Sequence, residues 1–228
     1  YLMRKADHVV SLCAAMSDIL PVKSTVIPHG INTDIFRIRD RTVIPGLSQE
    51  KLVCVAGRIR HTKGQLVVMK ALAPVLKVYP AWGLMMIGKI DEKKYAEEIL
   101  STASKFDVAR QVHFIPETDE IVKFFQASSV VIIASLSEGF SLVCLEAMSC
   151  GLITIATESV GIHSEVINNG RNGFLFPVND HDSLRSIFSD IVSGKVKLEP
   201  ESIRQTIVDN WSVEKSVKEL MKLYDTSP

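Results

Sequence analysis

The chain has 228 residues, of which 26 are Lys or Arg and 26 are Asp or Glu, so its formal net charge is zero. This balance disfavours a nucleic-acid partner, because proteins of that class carry an excess of positive charge, although a local basic patch stays compatible with it. With 46% hydrophobic and 23% charged residues, the composition is that of a globular protein with one or two domains.

The four cysteines, Cys13, Cys54, Cys144 and Cys150, lie far apart or in apolar segments, and none forms a Cys-x-x-Cys pair. We expect buried free thiols and therefore a reducing, cytoplasmic compartment. No apolar run reaches the ~18 residues of a membrane span, and no basic and then apolar leader of a signal peptide is visible. Because the chain starts at Tyr1 rather than Met, we expect a fragment or a processed chain.

The first 45 residues differ in pattern from the rest of the chain. Ala6–Leu12 and Thr25–Pro28 are predicted as strands, and Ala14–Ile19 is predicted as a short helix between them. The dipeptide Pro45-Gly46 is a turn signal, and we place a boundary there.

From Lys51 onward, short apolar runs alternate with segments of helical periodicity. The predicted strands are Leu52–Ala56, Gly83–Ile87, Val112–Ile115, Val130–Ala134, Ile153–Ala156 and Phe174–Phe176. The predicted helices are Gln65–Val78, Lys93–Phe106, Asp119–Gln126, Ser141–Cys150, Ser164–Ile167, Ser183–Val192 and Val213–Tyr224. This alternation predicts an α/β fold: a Rossmann-like, doubly wound parallel sheet with helices on both faces.

The most informative segment runs from Ser137 to Met148 and carries two carboxylates eight positions apart, Glu138 and Glu146. Glu138 lies in a Ser/Gly loop that follows an apolar strand. Glu146 lies in a predicted helix that is apolar on all sides, and such a helix is buried. An ionised carboxylate in that position costs several kcal/mol unless it is paired or hydrogen-bonded. We therefore expect Glu146 to have a partner, and the hydroxyl groups of a bound ligand would serve.

A basic loop follows the first predicted strand of the sheet and carries Arg58, Arg60 and Lys63 just before a helix. In a parallel sheet, ligands bind beyond the carboxyl ends of the strands, and Arg and Lys are the side chains that bind phosphate. The loop therefore predicts a phosphate site, with a solvated basic loop as the alternative. A second anion site is predicted at residues 139–142, where backbone N–H groups begin a helix; the alternative is an ordinary turn capped by Ser141.

Two other patterns are weaker. Asp180-His181-Asp182 has the Asp-x-Asp spacing of some metal sites, but it precedes a helix, and we expect Asp180 or Asp182 to cap that helix. Neither Gly-x-Gly-x-x-Gly nor Gly-Lys-Ser/Thr occurs in the basic loop, which disfavours a nicotinamide dinucleotide site and a P-loop.

In chain order, these residues resemble the C-terminal, donor-binding half of GT-B glycosyltransferases of the large retaining family four. The matching segments are Val26 to Phe36, Ala56-Gly57-Arg58 with Lys63-Gly64, Val112 to Ile115, Glu138 to Ser141 with Glu146 to Gly151, and Asn172 to Leu175. The basic loop is most similar to that of bacterial lipopolysaccharide-core mannosyltransferases. Pro116 and Ser141 depart from the family pattern, which commonly has glycine at both positions.

The resemblance implies a role for each site residue. Arg58 and Lys63 would hold the diphosphate of a sugar nucleotide and stabilise the leaving group. Glu138, the third residue implied in catalysis, would contact hydroxyls of the donor sugar near its anomeric carbon. Glu146 would accept hydrogen bonds from the ribose, and the loop at Ile115 would contact the base through its backbone. The other implied donor contacts are Gly57, Gly139, Phe140, Ser141 and Leu142.

The implied activity is retaining, metal-independent transfer of a hexosyl group from a UDP- or GDP-sugar to a glycan or lipid-linked acceptor, without a further cofactor. The implied process is synthesis of lipopolysaccharide or another cell-surface glycan, in the cytoplasm or at the inner face of the membrane. Residues 1–45 would be the end of an N-terminal, acceptor-binding domain with its linker, 46–211 the nucleotide-sugar-binding domain, and 212–228 a crossover helix. The alternative is a nucleotide-sugar-binding module without transferase activity in isolation.

Overall fold

The computed structural model describes residues 2–40 and 42–225. Its strands are β1 (Val10–Ser11), β2 (Thr25–Val26), β3 (Lys51–Ala56), β4 (Trp82–Ile87), β5 (Val112–Ile115), β6 (Val130–Ile133), β7 (Ile153–Thr157) and β8 (Phe174–Phe176). β1 pairs with β2, and the other six form one parallel sheet in the order β5-β4-β3-β6-β7-β8. The predicted parallel α/β sheet is confirmed.

The α-helices lie between and after the strands. They are α1 (Ala14–Asp18), α2 (Gln65–Val78), α3 (Lys93–Lys105), α4 (Ile121–Ala127), α5 (Leu142–Ser149), α6 (His163–Val166), α7 (His181–Val192), α8 (Pro200–Asn210) and α9 (Val213–Asp225). Short 3-10 turns cover Leu2–Lys5, His61–Lys63 and Ala109–Gln111.

Helices cover both faces of the main sheet. Val53 and Val55 of β3 pack in one core with residues of α2, α3 and α7. Leu52 and Cys54 of the same strand pack in a second core with residues of α4, α5 and α8. Because successive side chains of a strand point to opposite faces, a strand covered on both sides must be apolar throughout, which explains its continuous apolar sequence.

The strand order reverses between β3 and β6, which are neighbours in the sheet although β4 and β5 lie between them in the chain. The connections on either side of this point run in opposite directions, so a crevice opens at the carboxyl ends of β3 and β6. Ligands of open α/β sheets bind at such a switch point. The two loops that carry the predicted anion sites, after β3 and after β6, are the walls of this crevice.

Two parts of the secondary structure differ from the prediction. The expected strands Ala6–Leu12 and Thr25–Pro28 are wrong in extent, since only Val10–Ser11 and Thr25–Val26 pair. Helix α8 was not predicted; it begins with a proline at its first position, and only Ile203 and Ile207 are buried in it, so its apolar pattern is sparse.

Two local predictions are confirmed. The four cysteines are free and buried, and burial raises the pKa of the Cys54, Cys144 and Cys150 thiols to about 12. Asp180 caps α7, because its carboxylate accepts hydrogen bonds from the backbone N–H groups of Asp182 and Ser183. This accounts for the Asp-x-Asp spacing without a metal ion.

Candidate functional site

The loops after β3 and β6 are joined at the crevice. The backbone N–H of Leu136 donates to the carbonyl of Thr62 at 2.9 Å. Gly64 has a positive φ of 68°, and a Cβ on it would lie 1.9 Å from the carbonyl oxygen of Ala134. Only glycine permits so close an approach between the two backbones. This contact places Lys63, the neighbour of Gly64, beside the loop that carries Glu138.

Lys63 and Glu138 form an ion pair across the crevice. The Lys63 Nζ donates to Glu138 Oε1 at 2.6 Å, and the two side chains are 23% and 14% exposed. The hydroxyl of Ser135 donates to the same oxygen, also at 2.6 Å. Ser135 is buried and was not among the predicted site residues. Its position directly at the carboxyl end of a predicted strand was the available signal.

A central cavity of about 380 Å³ opens at the carboxyl ends of β3 and β4. It is lined by Ala56, Gly57, Arg58, Arg60, Lys63, Ile87, Gly88, Glu117, Thr118, Ile121 and Val143. Arg58 is largely exposed and lies 3.7 Å from Asp91. The buried Nε of Arg60 has no hydrogen-bond partner in the described part of the chain. Cations that are free or loosely paired in a concave site suit an anionic ligand.

A second cavity, the β5 cavity, continues from the central one. It measures about 410 Å³ and is lined by Gly88, Lys89, Ile90, Phe114, Ile115, Pro116 and Glu117. Gly88 and Glu117 belong to both linings, so the two spaces adjoin. Ile115 therefore lies in the cavity that adjoins the basic loop, with Phe114 and Pro116 beside it. A mostly apolar cleft adjoining a cationic one suits a ligand with a flat ring and an anionic group.

A third cavity, the α1 cavity, lies on the Glu138 side of the ion pair. It measures about 270 Å³ and is lined by Cys13, Ala15, Met16, Ile19, Leu136, Ser137, Glu138, Gly139, Ser159, Val160 and Gly161. Glu138 lines this cavity, whereas its partner Lys63 lines the central one. The ion pair therefore connects the two spaces.

Glu146 has a different setting from the one expected. Helix α5 is not buried all round: Leu142 is 45% exposed, Val143 lines the central cavity, and Glu146 is half-buried. Burial raises the pKa of the Glu146 carboxyl to about 7. Within the described residues, no hydrogen bond or ion pair reaches that carboxyl. The protein therefore leaves Glu146 without the partner that we expected it to need.

The start of α5 is held by aromatic contacts rather than by a side-chain cap. Ser141 occupies the N-cap position and is buried, but its hydroxyl accepts no capping hydrogen bond, so the capping alternative is wrong. The ring centroid of Phe140 lies 5.5 Å from that of His29, which it meets edge-on, and 6.5 Å from that of Trp211, whose ring is tilted by 53° to it. These contacts tie the loop after β6 to the segments before β3 and after α8.

The structure thus separates the predicted site residues into groups. Gly57, Arg58 and Lys63 line the central cavity, Ile115 lines the β5 cavity, and Glu138 and Gly139 line the α1 cavity. Phe140, Ser141, Leu142 and Glu146 line none of these three cavities and adjoin them along the chain. In the described ranges, no three His, Cys, Asp or Glu residues cluster closely enough to hold a metal ion, and no helix has the length and apolarity to span a bilayer.

Comparison with known sequences gives a family match. A family model described as glycosyl transferases group 1 matches residues 37–208. The lipopolysaccharide core biosynthesis mannosyltransferase LpsB of Rhizobium meliloti (strain 1021) is 26% identical over 237 residues, which cover 99% of this chain and 67% of LpsB. A D-inositol 3-phosphate glycosyltransferase of Segniliparus rotundus is 31% identical over 165 residues, which cover 69% of this chain and 36% of that protein.

Comparison with solved structures shows the same fold. The crystal structure of Anabaena Alr3699/HepE in complex with UDP and glucose matches 99% of this chain and 65% of its own, with a TM-score of 0.85 and 19% identity. The C-terminal domain of the group 1 glycosyl transferase LpcC from Francisella tularensis matches 81% of this chain and all of its own, with a TM-score of 0.75 and 24% identity. This chain spans about two thirds of the length of LpsB and of HepE.

Proposed function

Because this chain belongs to the glycosyl transferases group 1 family, we propose that it binds a nucleotide-sugar donor and supplies the donor half of a glycosyltransferase active site. The observation that carries the proposal is the Lys63–Glu138 ion pair, which lies between a cationic cavity and a cavity lined by a carboxylate. A sugar nucleotide has the matching order of groups, with a diphosphate between a nucleoside and a sugar.

The proposed donor lies along the three cavities. The base occupies the β5 cavity against Ile115 and Pro116, and the diphosphate lies in the central cavity. The donor sugar lies beside Glu138, where the α1 cavity begins. Glu146 lies on α5, three residues after Val143, which lines the central cavity. Its carboxylate accepts hydrogen bonds from the ribose hydroxyls, and the ligand thereby supplies the partner that Glu146 lacks within the protein.

The proposed chemistry is retaining hexosyl transfer without a metal ion. When the bond between the anomeric carbon and the diphosphate oxygen breaks, negative charge develops on the diphosphate. Arg58, Lys63 and Arg60 stabilise that charge from the central cavity. The carboxylate of Glu138 orients the sugar hydroxyls, so that the anomeric carbon is held in one position.

We also propose that acceptor binding belongs to a part of the protein outside this chain. The two-stranded parallel pair β1–β2 is too small to be stable alone, and Val10 and Val26 remain 39% and 42% exposed in it. Helix α9 has no buried residue and exposes Val217, Leu220 and Met221. These features support the assignment of residues 1–45 and 212–228 to contacts with an N-terminal domain, and of 46–211 to the donor domain.

The relatives suggest the wider process. Similarity to LpsB favours synthesis of lipopolysaccharide or another cell-surface glycan, with a UDP- or GDP-hexose as donor and a glycan or lipid-linked acceptor. Such a reaction takes place in the cytoplasm or at the inner face of the membrane. A second candidate is a nucleotide-sugar-binding module that has no transferase activity by itself. The exposed apolar residues Val217, Leu220 and Met221 of α9, which fit contacts with a further domain, favour it.

The test of the donor site is calorimetric titration of this chain with UDP, GDP, UDP-glucose, UDP-galactose and GDP-mannose. A ligand at 100 times its dissociation constant stabilises the protein by about 2.7 kcal/mol, so thermal shifts give a second readout. Arg58→Ala and Lys63→Ala should each weaken binding about 10- to 100-fold, the value of one hydrogen bond to a charged group.

Lys77→Ala is the matched control, because Lys77 lies at the opposite end of α2 in an exposed ion pair with Asp107. Its affinity should equal that of the wild type. Absence of binding by every nucleotide at millimolar concentration would refute the donor site. To separate the two candidates, transfer by this chain is compared with transfer by the full-length protein, and detectable transfer by the chain alone rules out the binding-only candidate.

A further inference from the structure

Two donors hold one oxygen of Glu138. Ser135 Oγ and Lys63 Nζ both donate to Oε1 at 2.6 Å. No hydrogen bond to the other oxygen, Oε2, occurs among the described residues. One side of the carboxylate is thus fixed by the protein, while the other side is left for a ligand in the adjoining cavity.

Ser135 is itself held by a second layer of buried groups. The hydroxyl of Thr157 donates to the backbone carbonyl of Ser135 at 2.8 Å. The carbonyl of Thr157 lies 2.8 Å from Nδ1 of His163. Since a carbonyl only accepts, Nδ1 carries the proton. Ser135 is 1% exposed, and Thr157 and His163 are both 0% exposed. All three residues are therefore shielded from solvent.

We propose that Ser135 is a positioning residue that keeps the Glu138 carboxylate in place while Lys63 binds the diphosphate. The inference rests on the proposed function, because it assumes that Glu138 faces the donor sugar. Lys63 has a flexible stem and lines the central cavity, so a diphosphate there competes with Glu138 for its ammonium group. When Lys63 turns to the phosphate, the Ser135 hydroxyl remains on Oε1. Oε2 then keeps its direction toward the sugar hydroxyls.

The experiment compares two dissociation constants for each variant of this chain. Calorimetry gives the ratio of Kd for UDP to Kd for UDP-glucose, and the same ratio for GDP and GDP-mannose. This ratio reports the sugar contact and cancels effects on the nucleotide. Glu138→Gln sets the size of the change when the carboxylate is lost. Ser135→Ala should move the ratio in the same direction by about fivefold, with Kd for UDP or GDP within twofold of wild type.

Ser149→Ala is the matched control, because Ser149 is equally buried and its hydroxyl also makes a 2.6 Å hydrogen bond, to the carbonyl of Phe36. It should lose a similar amount of thermal stability and leave the ratio unchanged. Thr157→Val is a second variant, which removes the hydroxyl under Ser135 at nearly constant volume. It should shift the ratio in the same direction and by less.

The outcomes are distinct. A wild-type ratio in Ser135→Ala, or equal losses for the nucleotide and the sugar nucleotide, overturns the positioning role and leaves the donor site intact. If Glu138→Gln does not change the ratio, the sugar contact itself is wrong, and the inference is overturned with it. If the wild-type chain binds none of the four probes, the proposed function fails, as that one titration shows independently of any variant.

Discussion

The raised pKa of Glu146 makes a quantitative prediction about stability and pH. Burial moves the pKa from its ordinary value of 4.5 to about 7 in the folded chain. Between these values the folded protein retains a proton that the unfolded chain has lost. The stability that depends on this proton is therefore complete below about pH 4.5 and is lost as the pH rises through about 7.

The size of the effect follows from the same two numbers. The difference between 4.5 and about 7 corresponds to about 3 kcal/mol, at about 1.4 kcal/mol for each tenfold change in proton affinity. Glu146 is half-buried, so water relaxes around the charge and reduces this value. We expect Glu146→Gln to raise the free energy of unfolding by about 1–2 kcal/mol at pH 8 and by only about a quarter of that at pH 5, because pH 5 lies half a unit above the unfolded pKa of 4.5.

Urea denaturation of the wild type and of Glu146→Gln between pH 4.5 and 8 measures this difference. Glu97→Gln on α3 is the control, because Glu97 is an exposed helical glutamate away from the cavities, and its effect should not change with pH. If the stability of Glu146→Gln relative to wild type is the same at pH 5 and pH 8, the carboxyl does not bear the burial cost assigned to it.

The same carboxyl should couple donor binding to pH. Ribose hydroxyls donate to the ionised form, so binding of a sugar nucleotide lowers the Glu146 pKa and releases a proton near pH 6–7, a window set by its pKa of about 7. Affinity for UDP-glucose or GDP-mannose should rise with pH through this range, and Glu146→Gln should abolish the rise. Calorimetry in two buffers measures the number of protons released on binding. These protons come from the protein, because the diphosphate of the ligand is esterified at both ends and does not titrate in this range. Binding without proton release would contradict the ribose contact.

Three further predictions concern the frame of the site. Gly64→Ala should lose more than about 2 kcal/mol of stability in thermal denaturation, because the new Cβ would overlap the carbonyl of Ala134. Gly170→Ala is the control: Gly170 has a φ of 78° but no atom within 4 Å of a Cβ added there, so the loss should be only about 1 kcal/mol. Equal losses would contradict the close approach. Arg204→Met removes hydrogen bonds to the carbonyls of Thr33 and Phe36, so limited proteolysis should cut the segment around residues 33–40 faster than in wild type, and an unchanged rate would contradict this anchor. Iodoacetamide should leave all four buried thiols unmodified in the native chain and modify them in urea, as mass spectrometry would show; rapid native labelling would contradict their burial.

The main sheet could be predicted because its strands carry their own burial signal. A strand covered on both faces is mostly apolar along its length, and β3 to β8 show this over three to six residues, with interruptions such as His113 in β5 and Thr154 in β7. Their edges fall within one residue of the prediction. The same rule failed in the first 45 residues. There Val10 and Val26 are apolar but partly exposed, so apolar sequence did not mean an extended paired strand.

The site could be predicted in its charges and not in its contacts. Arg58, Lys63 and Glu138 follow strand ends, and chain position alone places them at one edge of the sheet. The pairing of Lys63 with Glu138 depends on the approach of Gly64 to Ala134, about 70 residues away in the chain, which no local pattern encodes. The prediction that Glu146 lies in a helix buried on all sides was wrong for a related reason. Which side of α5 is covered is decided by its neighbours, and they leave Leu142 exposed and Glu146 half-buried.

The Lys63–Glu138 pair should therefore show energetic coupling that the predicted roles alone would not produce. If Lys63 served only a phosphate and Glu138 only a sugar, their substitutions would be independent in the free protein. Because the two side chains are mostly buried and share a 2.6 Å hydrogen bond, Lys63→Ala leaves Glu138 with Ser135 as its remaining donor.

A double-mutant cycle of Lys63→Ala and Glu138→Gln, measured by urea denaturation at pH 7 without ligand, should give a coupling energy of at least about 1 kcal/mol. The cycle of Arg58→Ala with Glu138→Gln is the control, since Arg58 lies by Asp91 instead, and it should be additive within about 0.5 kcal/mol. Additivity in both cycles would mean that the pair has no role in ordering the site before the donor arrives.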